Sequence, residues 1–274
     1  MLESDVTLYS NQIDLIPRLS RSNGTEFSNA LEPYTKCYYD GYIPKQPWLP
    51  LTTEESKILI AQSPPQSHIN SIGVGKIPVE IFKLAGMLNI DSNKLHNYID
   101  LNSNNPHHLR FKQALLDYLE PHCINQEGIT PLPIYCGRKN LATTTFDFHK
   151  QLFIGLHYDN WDEVAWTKRK NVRNRICINL GIEERYFLFI NLELKNVLQK
   201  LNNLDMGTYP LNEGPYRPFF KKYADYPVIR LRLEPGEYYI APTENIMHDG
   251  CTENKVYHDV IMTVLGYFHT RGLT

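Results

Sequence analysis

No apolar run in this 274-residue chain reaches the roughly 18–20 residues that a membrane-spanning helix needs. The N-terminus, Met1-Leu2-Glu3-Ser4-Asp5, also lacks the basic-then-apolar pattern of a secretory signal. A membrane partner is therefore not expected. Charge of one sign is lacking too: the formal net charge is −2, so no basic field draws nucleic acid. Cysteines number five (Cys37, Cys123, Cys136, Cys177 and Cys251). They are odd in number and scattered, with no C-x-x-C, which excludes a disulfide framework and a zinc knuckle and makes a reducing cytoplasm the expected compartment. No H-E-x-x-H is present, so a helical zinc-hydrolase site is disfavoured. No repeat at a period of about 20–50 residues is visible, which speaks against solenoids and propellers.

What is present changes character near residue 125. Residues 1–50 are polar and rich in proline and aromatics (Tyr34, Tyr38, Tyr39, Tyr42, Trp48) and predict irregular structure or edge strands. Thr52-Thr53-Glu54-Glu55 predicts a capping box that opens a short helix. Residues 66–76, with His68, Gly73 and Gly75, read as a loop. Pro78 opens a second helix, Asp91-Ser92-Asn93 caps a third carrying Leu95, Tyr98 and Ile99, and Pro106 starts a fourth that Pro121 stops. Their apolar residues recur at helical spacing, as expected of helices packed on a sheet.

Beyond residue 125 short β-type runs alternate with turns. They include residues 131–136, 142–148, 152–159, 175–180, 186–191, 227–233, 237–241 and 257–268, with 192–204 as a short helix or insertion. The whole reads as a single domain, 1–274. An irregular and helical N-terminal layer (1–125) would precede a mainly β core (126–274) of double-sheet jelly-roll type. No feature points to a particular oligomeric state.

The stretch Leu152-Phe153-Ile154-Gly155-Leu156-His157-Tyr158-Asp159 carries the chemistry. Strand alternation puts residues i and i+2 on one face, so His157 and Asp159 point together. One imidazole and one carboxylate are two-thirds of the facial triad that holds non-haem iron and leaves positions open. A second imidazole must come from a distant strand. His248 is the candidate, in a segment that runs Glu234-Pro235-Gly236-Glu237, Ala241-Pro242, His248-Asp249-Gly250.

In that order of motifs, over about residues 130–270, the chain resembles the iron(II)/2-oxoglutarate-dependent oxygenases. The resemblance implies a double-stranded β-helix (jelly-roll, cupin-like) core, Fe(II) held by His157, Asp159 and His248, 2-oxoglutarate as cosubstrate and O2 as oxidant. It implies a dioxygenase that hydroxylates, desaturates or cyclises. An intact Asp159 ligand leaves no place for halide. A side-chain distance above about 6 Å between His248 and the Asp159 carboxylate would be incompatible with one shared ion.

The pattern departs from the family at one place. Most members anchor the distal carboxylate of 2-oxoglutarate with an Arg or Lys on the last strand, and here His258 stands there. A neutral imidazole is a weaker anchor than a guanidinium fork. Jumonji-type members instead carry the anchor on an inner strand soon after the carboxylate ligand, which matches Arg175; Arg173 shares its parity. Arg175 is therefore favoured over His258. Asn179 and Asn191 lie in apolar strands, where a buried amide must find partners, and are candidates for holding the cosubstrate. Arg230 and Arg232 share a strand face that is expected to meet solvent or an anionic substrate group. Trp161 and Asp162 sit where a lid or substrate loop would follow the ligand strand, and Asp249 could orient an imidazole. His68, His96, His107, His108, His122, His149 and His269 read as structural.

The substrate expected is a small molecule such as an amino acid, peptide intermediate or other metabolite. Two rivals stand beside this reading: a cupin-type iron enzyme that does not use 2-oxoglutarate, and a non-enzymatic β-sandwich binding module.

Overall fold

Along three neighbouring strands of the computed structural model, even-numbered residues (Ile176, Ile178, Tyr238, Ile240, Val260, Met262, Val264) share one buried cluster. The intervening Cys177, Tyr239 and Ala241 belong to another. This is the period-two alternation of strands with both faces covered. The structure describes residues 2–271 except 34–35, 92, 96–97 and 203–213; Met1, Tyr34, Ser92 and His96, named above, and the end of the 192–204 stretch lie outside the described residues.

The chain is mostly β-sheet with few helices. The largest sheet has eight strands and runs in the order Thr7–Tyr9, Ser71–Lys76, Glu237–Ala241, Asn174–Asn179, Asp259–Phe268, Ile134–Gly137, Tyr98–Ile99; Cys123–Pro131 also pairs with Asp259–Phe268. Its partner has five strands, ordered Ile246–Cys251, Arg185–Glu193, Ile229–Leu233, Leu19–Arg21, Leu49–Pro50. A third sheet of four strands holds Phe146–Asp147, Leu152–Gly155, Tyr38–Pro44 and Thr25–Ser28. From residue 174 on, the chain goes to the large sheet, twice to the second sheet, back to the large, to the second and to the large again. That crossing pattern is consistent with a jelly roll.

The core between the sheets collects Phe187, Phe189, Leu231 and Met247 against Cys177 and Tyr239. On the outer face of the large sheet lie the helices Val79–Gly86 and Pro106–Leu119. They present Ile81 and Ala85, and Phe111, Leu115 and Leu119, to that face; each set has the i, i+4 spacing of one helical stripe. The helix Thr53–Leu59 starts at the expected capping box, with the Thr52 side chain accepting from the Glu55 amide. Leu194–Lys200 is the short helix expected after residue 192, and Tyr216–Lys222 is a further one.

The first 125 residues are nonetheless not a helical layer. Among the described residues, three α-helices and two short 3-10 turns occur there among strands that join all three sheets. Residues 66–76 were expected as a loop because of their glycines. Instead Ser71–Lys76 is a buried strand between Thr7–Tyr9 and Glu237–Ala241. Gly75 is there for close approach: a Cβ would lie 2.2 Å from the Tyr238 hydroxyl. The helix expected after Asp91 is absent over its described residues. Tyr98–Ile99 pair with Ile134 and Tyr135 instead, because a short Asp- and Asn-rich segment gains little as an isolated helix, and the sheet edge offers it hydrogen bonds.

Candidate metal centre

Gly155 sets up the first ligand. Its φ is +69° and a Cβ would meet the Tyr42 carbonyl oxygen at 2.4 Å, so only glycine fits this bend. The bend turns the chain out of the small sheet, and His157 then pairs with His248. The His157 amide donates to the His248 carbonyl at 3.1 Å, and the His248 amide donates back at 2.9 Å. Two residues that exchange backbone hydrogen bonds across an antiparallel pair project their side chains to the same side. The Asp159 amide donates to the Thr243 carbonyl at 3.1 Å, which fixes the third member.

The side chains converge. Asp159 Oδ1 lies 3.5 Å from His157 Nε2, and Asp159 Oδ2 lies 3.5 Å from His248 Nε2. This is well inside the limit set for a shared ion. Among the described residues, His157, Asp159 and His248 form the group of metal-type ligands, with all ligand atoms within 4.8 Å of one another. Ligands at right angles and about 2.1 Å from an ion would be roughly 3 Å apart, so small side-chain movements suffice to close on a metal.

The other ring nitrogens are occupied. His157 Nδ1 meets the Gly155 carbonyl at 2.9 Å and His248 Nδ1 meets the Ile246 carbonyl at 3.2 Å. A carbonyl only accepts, so each Nδ1 carries a hydrogen, and in the neutral imidazole Nε2 then presents a lone pair to the shared point. His248 Nε2 is buried with no hydrogen-bond partner. Such an orphaned acceptor is costly unless something fills it, and a cation fits the donor set.

The electrostatics agree. Burial pushes the His248 pKa down to about 4, against the pull of Asp159. For His157 burial also acts downward, but the Asp159 hydrogen bond and the Asp249 charge outweigh it and the net shift is up. Burial disfavours the Asp159 carboxylate, yet Arg175 and His248 hold its pKa well below the usual carboxylate range. The cluster therefore favours an anionic Asp159 and a positive charge beside it, which a proton or a metal can supply.

Arg175 is brought to the centre. Its parity matches that of Cys177, so it points between the sheets, and its Nη1 lies 2.9 Å from Asp159 Oδ2. Nη2 donates to the Tyr239 hydroxyl at 3.1 Å, while Nε is buried with no partner. His258 is placed elsewhere, just before the strand Asp259–Phe268, and the groups that act on its imidazole are Gly137, Arg138 and Lys139. The structure thus brings together the favoured basic residue and not the other.

Both candidate asparagines are satisfied by the fold. Asn179 donates to the Glu183 and Leu233 carbonyls and accepts from the Gly181 amide. Asn191 donates to the Glu3 carbonyl and accepts from the Tyr226 hydroxyl. Arg173 is an ion-pair partner of Asp162, not a cavity group. Arg230 lies against the Trp48 and Tyr186 rings at 4.3 and 4.5 Å, and Arg232 pairs with Glu184.

Two buried arginines at the site gave no clear signal in the sequence. Arg185 is 2% exposed and pairs with Asp259 at 3.0 Å; it opens an apolar strand as Arg175 does, which was the available clue. Arg169 is 1% exposed, donates to the Asp159 carbonyl at 2.6 Å and to Asn160 Oδ1 at 2.8 Å, and stacks 3.5 Å from the Trp166 ring. Asp249 Oδ1 accepts from the amides and hydroxyls of both Thr144 and Thr145, and Oδ2 lies 3.7 Å from His157 Nδ1. A cavity of about 420 Å³ opens beside Arg175, with Arg185, Cys177 and Tyr239 in its floor.

No protein-family model matches the chain, and no curated protein matches it. Among solved structures it is similar to that of the Kdo hydroxylase KdoO, described as a non-heme Fe(II) alphaketoglutarate dependent dioxygenase in complex with cobalt(II). The identity is 12% and the TM-score 0.35, over 71% of this chain and 79% of that one. A likeness that slight carries no weight beside the side-chain geometry. No helix among the described residues is long and apolar enough to cross a membrane.

Proposed function

We propose that the chain is an iron(II)- and 2-oxoglutarate-dependent oxygenase that hydroxylates, desaturates or cyclises a small molecule. One observation carries this reading. Two imidazoles, each with Nδ1 committed to a backbone carbonyl, turn Nε2 toward the two oxygens of one buried carboxylate. His157, Asp159 and His248 would hold the iron, which when bound supplies the oxidising chemistry.

The protein's own residues do the rest. Arg175 keeps Asp159 ionised, lines the cavity and has an Nε–H with no hydrogen-bond partner; it is the group suited to the cosubstrate's distal carboxylate. Tyr239 orients Arg175 through its hydroxyl. Arg169 holds the backbone at Asp159 and keeps the ligand from rotating away. The sheets and the Phe187–Tyr239 stack, centroids 3.8 Å apart, exclude water from the buried side of the triad. Described cysteines are all free, which supports a reducing cytoplasm.

The test is succinate formation from 2-oxoglutarate by the Fe(II)-loaded protein. Turnover that depends on both is expected; a protein that binds no Fe(II), Co(II) or Mn(II) stoichiometrically would end the reading. The place of His258 favours one rival, a cupin-type iron enzyme without 2-oxoglutarate. Metal binding with no effect of 2-oxoglutarate on the metal's spectrum would select it.

A further inference from the structure

Besides Tyr239 in its floor, five aromatic rings from four stretches of the chain line the cavity beside Arg175. Tyr98 and Tyr135 come from adjacent strands at the edge of the large sheet, with centroids 5.0 Å apart. Phe146 and Phe148 come from the small sheet and the turn after it, 5.2 Å apart and edge to face. Trp161 comes from the loop after Asp159. Tyr98, Phe148 and Trp161 are 54%, 53% and 47% exposed. Single exposed rings are ordinary on a protein surface, but several converging on one concavity leave apolar area for a ligand to cover.

These rings are held in advance. Asp162, next to Trp161, pairs with Arg173 and takes its amide hydrogen bond to Glu244, while Arg169 grips Asp159 and Asn160. Asp249 pins Thr144 and Thr145 just before Phe146. Asp147 Oδ1 accepts from the His149 and Lys150 amides and so fixes the turn that carries Phe148. Rings fixed on pinned loops lose little freedom when a ligand stacks on them.

With Arg175 turned to Asp159 and given to a cosubstrate carboxylate, and Arg185 matched by Asp259, the floor leaves no unmatched charge to draw a highly charged substrate. About 420 Å³ lies within the usual span of small-molecule sites, roughly 300–1,000 Å³, and admits one or two fused rings. Arg175 both lines this cavity and touches Asp159, so a guest in the cavity is separated from the triad, whose members do not line it, by the Arg175 side chain.

We infer that the substrate presents a planar aromatic group of one or two rings, which the Tyr98/Tyr135 and Phe146/Phe148 pairs and Trp161 enclose while its reacting substituent faces Arg175 and the triad. The inference rests on the oxygenase reading for the chemistry but not for the binding. Planar guests gain stacking and edge contacts from such walls that a flexible alkyl chain does not.

The experiment is equilibrium binding of 2-naphthol and, for comparison, 1-octanol to the full chain by calorimetry, with and without Co(II) and 2-oxoglutarate. 2-Naphthol is expected to saturate at one site and to bind at least about tenfold more tightly than 1-octanol. Trp161→Ala and Phe148→Ala should each weaken it about tenfold, and Trp161→Phe should restore most of the loss. Both side chains are half exposed, so these variants should fold; Thr263→Phe, which adds bulk at another lining position, provides an independent block. Unchanged affinity in all three blocking variants, or 1-octanol binding as tightly as 2-naphthol, overturns the inference. Naphthol binding without any succinate formation would remove the oxygenase and leave the aromatic site. Succinate formation without naphthol binding would do the reverse.

Discussion

Asp159 stands at the meeting point of two buried histidines and a largely buried arginine. Its removal acts twice. Asp159→Ala takes away a ligand and also leaves the Arg175 guanidinium buried without its counter-charge. Breaking one side of a buried pair costs about 3–5 kcal/mol. The variant should therefore lose succinate formation entirely and unfold at lower denaturant concentration, by an amount within that range. Full activity in Asp159→Ala would exclude this carboxylate from the centre. Arg175→Lys keeps the charge but loses the fork and the Tyr239 contact geometry. It should raise the KM for 2-oxoglutarate by roughly tenfold or more while bound Co(II) remains stoichiometric; an unchanged KM would take Arg175 out of the anchor role.

At the scale of single elements, the bend at Gly155 and the clamp at Asp249 aim the ligands. Gly155→Ala would put a Cβ 2.4 Å from the Tyr42 carbonyl at a φ of +69°. Alanine where φ is positive costs more than the ~1 kcal/mol of a compatible exchange, and here the clash adds to it. A loss of about 2 kcal/mol or more, with weaker Co(II) binding, is the expected outcome in paired denaturation and metal titrations. Asp249→Ala strips the hydrogen bonds from Thr144 and Thr145. These donors are half-buried, so leaving them unpaired costs at the low end of the range for buried groups, about 1 kcal/mol. The loosened segment carries Phe146, so substrate KM should rise more than kcat falls; equal damage to both would place Asp249 at the metal alone.

Over the whole molecule, the triad ties the large sheet, through Arg175, to the strands of the other two. A ligand that binds only the folded state stabilises all of it together, by about 2.7 kcal/mol at a hundredfold excess over Kd. Co(II) should raise the melting temperature of the wild type and leave His248→Ala unmoved. An equal rise in both would mean that the ion binds at another place. The conformation that closes the triad exists only when the sheets are stacked, so metal affinity should vanish together with the cooperative unfolding transition.

Local physics was enough for the elements whose signals are contained in a few neighbouring residues. The Thr52 capping box, the amphipathic stripes of Val79–Gly86 and Pro106–Leu119, and the shared face of His157 and Asp159 follow from spacing alone. So does Arg175 pointing inward, once the strand Asn174–Asn179 is recognised. Tertiary structure decided what depends on partners far along the chain. Gly75 reads as a loop residue until Tyr238 is seen against it, and Tyr98 becomes a strand only because Tyr135 offers an edge. Likewise Asn179 and Asn191 are spent on distant carbonyls and a hydroxyl rather than on a cosubstrate. His258 is turned to Gly137, and five rings from separate segments become one wall. A side chain's direction is fixed by its own strand, but what it meets is fixed by which strands are brought beside it, and that pairing is a property of the packed whole.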